Sequence, residues 1–181
     1  MSHRSWTRSL VAGCGLLGLS SFACGGDSAS KCDDLKNYTA TTTTPLSYAT
    51  DIHPIMSNTT DQVGCAQATT CHGSPSVFLD LAETKTLSLT EAPATVRTAL
   101  LQQASLNAPS MKFVVPGNVG ASFLAYKLSG ADGLACVNTM CVSGASIGIS
   151  KPCGDPMPMG GILSAADRTK IIDWIKQGAA E

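Results

Sequence analysis

The sequence predicts one small, mainly helical domain with long connections, and three observations predict it. Segments beginning near Asp51, Thr90, Ala121 and Ser164 carry apolar residues at the three- and four-residue spacing of an amphipathic helix. The stretches between them are rich in Gly, Pro, Ser and Thr, which break regular structure. The chain has 181 residues and eight cysteines but only 5% aromatic residues, so a modest core is expected to lean on disulfides, a metal or a cofactor. With 14% charged residues and a net charge of −1, the chain shows no Lys/Arg run. It therefore lacks the electrostatic footprint of a nucleic-acid binder.

Residues 1–23 read as a signal peptide. Arg4 and Arg8 form a basic start, and Leu10 to Ala23 an apolar stretch too short for a stable membrane span. Ser21-Phe22-Ala23 ahead of Cys24 resembles a loose lipobox, which makes Cys24 the expected lipid-bearing residue; ordinary cleavage after Ala23 is the alternative, and Cys14 is a second lipobox candidate. Either way the domain is exported, to the periplasm or the cell envelope, where eight cysteines suit an oxidising milieu. Residues 24–45, Gly/Ser/Asp-rich and then Thr-rich, bury little apolar surface and read as a flexible tether. Cys32 within it is either tied to the domain by a disulfide or left as a thiol. The domain spans 46–181.

Within it, Pro54 suits the first turn of a helix whose buried face holds Ile52, Ile55 and Met56. Cys65 to Gly73, CAQATTCHG, is the most informative stretch. Cys71 followed at once by His72 is the tight half of a covalent haem-attachment site, in which two thiols form thioethers and the adjacent imidazole binds iron. Five residues, not two, separate Cys65 from Cys71. Val77 to Leu81 reads as a short extended or turn segment. A helix starting after Thr90 places Val96, Ala99 and Leu100 on one face. Phe113 to Gly117 is an extended piece closed by a turn. Ala121 to Ser129 is a helix stopped by Gly130, followed by a loop from Asp132 to Ile149 and by the Pro/Gly-rich CGDPMPMGG. In the last helix Ser164 is the N-cap with Asp167 three residues on, Ile171, Ile172, Trp174 and Ile175 form the apolar face, and Gly178 ends it.

The order DIHPIM, CHG, LDL, VVPGNVGASFLAYKLSG, CGDPMPMGG and IIDWIKQGA resembles the planctomycete-type cytochrome c domain and, more broadly, small class I c-type cytochromes, from Tyr48 to Ala179. The resemblance implies an all-α, cytochrome c-like fold around one covalent haem c, with the first and last helices packed together. It assigns the thioethers to Cys65 and Cys71, the proximal iron ligand to His72, and the distal ligand to Met157, with Met159 as the fallback. Histidine/methionine ligation suits electron transfer to redox partner proteins rather than substrate chemistry.

The same residues leave other readings open. Cys65 and Cys71 could instead form a disulfide, giving a haem-less, disulfide-stapled lipoprotein of the same fold that serves as a binding or structural module. Neighbouring Cys71 and His72 rarely reach one tetrahedral zinc together. A cysteine nucleophile is disfavoured where thiols have ready oxidation partners. No carboxylate pair or triad points to a hydrolase, so no catalytic residue is assigned. His53 reads as a helix-start surface residue, with bis-histidine ligation as a minor alternative. Trp174 and Tyr126 read as core, and Lys127, Lys170 and Lys176 as solvated faces, although a ring of lysines can steer a redox partner. With haem attached, Cys32, Cys136, Cys141 and Cys153 allow three pairings; without it, six cysteines allow fifteen.

Overall fold

The computed structural model describes residues 28–59, 65–66, 72, 87–142, 152–158 and 163–181. Among these residues the regular structure is helical, and the only extended pairing is an isolated bridge between Ala104 and Lys112.

The first helix, α1 (Ser28–Lys36), lies inside the expected tether. Leu35 is buried, Cys32 is disulfide-bonded to Cys136, and α1 passes so close to Gly120 that a Cβ there would stand 2.8 Å from Lys36 Cα. The Thr-rich run after it is docked too. Thr41 and Thr42 bond to Asp173, and Leu46 N donates to Gln177 Oε1 at 2.9 Å. The segment from α1 to Leu46 is thus held to the rest of the domain. The tether reading weighed apolar content alone, whereas this segment is held by polar bonds to one buried carboxylate and by a disulfide.

Tyr48–Ile52 forms a π-helical turn that continues into α2 (His53–Met56). Ser47 caps it: its Oγ accepts from Thr50 N, and its own N–H donates to Asp51 Oδ2 at 2.9 Å. Pro54 sits in the first turn of α2, where its missing N–H costs nothing. Ile52 and Met56 are buried as expected.

Pro93 opens α3 (Pro93–Gln102), with Val96, Ala99 and Leu100 buried on one face. The chain returns as the expected extended piece. Val114 N donates to Leu100 O, and Gly117 N to Ile175 O at 2.8 Å, which pins the turn to the last helix. Next comes α4 (Phe123–Leu128), every residue of which is buried. A single residue, Ser129, separates it from α5 (Gly130–Cys136), and a 3₁₀ turn follows at Asn138–Met140. The loop expected from Asp132 is therefore helical at its start. Two glycines hid that helix, and Gly133 is there for packing: a Cβ on it would lie 2.7 Å from Tyr126 O.

The last helix, α6 (Ala165–Lys176), has the predicted ends. Ser164 Oγ accepts from Asp167 N at 3.0 Å and donates to Asp167 Oδ2 at 2.7 Å, and Gly178 takes φ +104° just beyond the C-terminus. Its apolar face joins the π-helical turn at Tyr48–Ile52: the Tyr48 and Trp174 rings lie 5.2 Å apart, and Tyr48 N donates to Ala180 O. Among the described residues, Trp174, Tyr48, Tyr126 and Phe123 are the largest fully buried side chains. Burying each such ring contributes roughly 2–3 kcal/mol.

Candidate functional site

Cys65 and Ala66 are buried, at 6% and 0% exposure. His72 N donates to Cys65 O at 3.2 Å, so the two ends of CAQATTCH meet despite the five-residue spacing. His72 O in turn accepts from Leu89 N at 2.8 Å, and Leu89 is itself buried just ahead of α3. The residues bearing the first thiol and the imidazole are thus joined to each other and, through Leu89, to the chain just ahead of α3.

Tyr48 borders this loop. Its hydroxyl lies 4.0 Å from Met56 Sδ. Burial lifts the phenol well above its usual range, and the nearby Cys65 thiol adds to that. The Tyr48 phenol thus stays protonated. The His53 ring lies 5.7 Å from the Tyr48 ring, centroid to centroid, and its Nε2 is 2.9 Å from Glu91 O. That bond ties α2 to the start of α3 and gives His53 a structural partner.

Met157 belongs to a second feature. Its N–H donates to Lys127 O at 3.0 Å, and Met157 and Pro158 are half-buried. Lys127, expected on a solvated face, is only 6% exposed. Its ammonium donates to Cys153 O at 2.9 Å and to Asp155 O. It also lies 5.7 Å from the centre of the Phe123 ring. Lys127 stands four residues after Phe123, on the same face of α4, which accounts for its burial.

The cysteines divide cleanly. Cys32 pairs with Cys136, and Cys141 with Cys153, one of the three pairings open to these four. Both disulfides lie outside CAQATTCH. Cys24, Cys71 and Met159 fall outside the described residues, as does the Val77–Leu81 segment.

The sequence assigns no role to Asp173, although a carboxylate between Ile172 and Trp174 is itself a signal. It is 1% exposed and accepts from Tyr38 Oη, Thr41 N, Thr41 Oγ1 and Thr42 N. Trp174 and Tyr126 are core, as read, with Trp174 Nε1 donating to Ala180 O and Tyr126 Oη to Gly120 O.

No protein-family model, curated protein or solved structure matches this chain.

Among the described residues no group of three His, Cys, Asp or Glu side chains is placed to hold a metal ion, and no helix is long and apolar enough to cross a membrane. Two disulfides are compatible with an exported protein.

Proposed function

We propose that this chain is an exported, lipid-anchored electron carrier holding one covalent haem c. The reading assigns Cys65 and Cys71 to the thioethers, His72 to the proximal position and Met157 to the distal one, with Cys24 as the lipidated residue. The observation that carries it is the bond from His72 N to Cys65 O. It bears on the main departure from the usual attachment motif, since the first cysteine and the histidine stay together despite the longer spacing. The donor set fits the group. Two thiols and an imidazole come from one stretch, and a soft thioether comes from a separately anchored Pro/Gly-rich loop. When bound, the haem supplies one-electron exchange. The chain's own part would be to attach it through Cys65 and Cys71 and to offer His72 and Met157 as its donors.

The haem-less module is the second reading. It is favoured by a helical frame already closed by two disulfides and by the Tyr48–Trp174 contact.

One experiment separates them. The full chain is produced in an export-competent host with a cytochrome maturation system, then denatured, washed and digested. A peptide spanning Cys65 and His72 that carries the mass of one haem is expected. A Cys65–Cys71 disulfide peptide without haem would overturn the carrier and select the module.

A further inference from the structure

We propose that Lys127 is the positioning residue that presents the Met157 thioether as an axial donor, an inference that rests on the haem-carrier reading above. The geometry is a clamp. The Lys127 ammonium donates to Cys153 O and to Asp155 O, while Lys127 O accepts from Met157 N. Three alternate residues of the loop, 153, 155 and 157, are thereby held by one residue of α4. The cost of burying an ammonium at 6% exposure makes this a specific arrangement. Such a charge is tolerated only where its donors are satisfied, and here carbonyls of the Met157 loop satisfy them. The apolar stem reaches that point past Phe123, with Nζ 5.7 Å from the ring centre.

The loop is shaped to this ammonium. Gly154 has φ +69°, and a Cβ there would stand 3.1 Å from Lys127 Nζ and 3.3 Å from Asn107 Nδ2. The Cys141–Cys153 disulfide fixes the near end of the same loop. Asn107 O accepts from Val142 N at 2.9 Å, so the partner side of that disulfide is anchored as well. A thioether is a weak, neutral donor that does not organise its own loop. Its hold on iron depends on how closely the protein pre-sets the sulfur. A clamp on the backbone of the donor residue itself is what that task requires.

The test compares the haem-loaded full chain with Lys127→Met, which keeps the stem and removes the donors, Lys127→Arg, which restores donors, and Gly154→Ala, which disturbs the ammonium without removing it. The readouts are covalent haem by mass, the thioether-to-iron charge-transfer absorption of the ferric protein, and hydrogen exchange of the Cys153, Gly154, Asp155 and Met157 amides. Lys127→Met is expected to keep its haem, lose most of the charge-transfer band, and exchange these amides about tenfold faster or more. Lys127→Arg should recover part of the band, and Gly154→Ala should weaken it. A parental band and parental exchange in Lys127→Met would overturn the proposal while leaving the carrier intact. If Lys127→Met does not fold, Gly154→Ala decides, and an unchanged band there overturns it. Parental protein without covalent haem overturns the carrier reading, and this inference with it.

Discussion

Tyr38 Oη donates to Asp173 Oδ1 at 2.7 Å, joining two residues 135 positions apart. Thr41 and Thr42 complete the set, so one buried carboxylate fastens the segment between α1 and the turn at Tyr48–Ile52 onto α6. Asp173→Ala leaves these donors without their acceptor and is expected to cost about 3 kcal/mol. Urea unfolding measures the loss, and limited proteolysis should show a new cleavage between Thr41 and Ser47.

The same bond sets limits at both ends of the pH scale. Burial alone would raise the Asp173 carboxyl, but hydrogen bonds from Thr41, Tyr38 and Thr42 outweigh it and hold the group below its ordinary 3.8. A depressed carboxyl contributes stability that is present above the unfolded value and lost as pH falls through the folded one. Tyr38 is shifted the other way, by burial first and then by its bond to Asp173. Its contribution is complete below the ordinary 10.0 and lost as pH rises beyond it. Stability against pH should therefore fall below about pH 4 and above about pH 10, more steeply in the parent than in Asp173→Asn at the acid end or Tyr38→Phe at the alkaline end.

Replacing Cys32 and Cys136 together by Ser opens a covalent span of 104 residues, and replacing Cys141 and Cys153 opens one of 12. The chain-entropy model gives about 4–5 kcal/mol for the long span and about 3 kcal/mol for the short one. Denaturant midpoints of the two double variants should keep that order.

Gly133 is where α5 meets the end of α4. A Cβ there would stand 2.5 Å from Ser129 Cβ and 2.7 Å from Tyr126 O, which is backbone and does not yield easily. Gly133→Ala should cost about 1–3 kcal/mol despite the better helix propensity of alanine. A thermal melt at or above the parental midpoint would contradict this close approach.

Under the carrier reading, His72→Ala should retain haem by mass while losing the low-spin absorption of the parent, because attachment uses the thiols and ligation uses the ring. Retention of the parental low-spin spectrum would remove His72 from the iron.

The helices that could be read in the sequence were those whose local signals agree with their packing. Ser164, Asp167 and Gly178 bracket α6 as their chemistry dictates, and Val96, Ala99 and Leu100 mark the buried face of α3 by spacing alone. The readings that needed correction rest on distant partners. Nothing local announces that Thr41 and Thr42 meet a carboxylate on α6, or that the Lys127 ammonium is received by carbonyls of the loop at 153–155. In the site, the residue types of CAQATTCH were legible, but the closure of His72 onto Cys65 was not, since it depends on how Leu89 and the start of α3 receive the loop.

The two disulfides also decide how tension would run through the folded chain. Pulled from its two ends, the chain passes the load from Cys32 directly to Cys136, and from Cys141 directly to Cys153. Cys65, His72 and Lys127 all lie inside the first bypass and cannot be drawn out while it is intact. Met157 lies beyond Cys153, on the strained path. Stretching would peel the methionine loop from its lysine clamp while the cysteine–histidine loop stayed slack and closed, so a force applied at the ends would reach one side of the candidate site and spare the other.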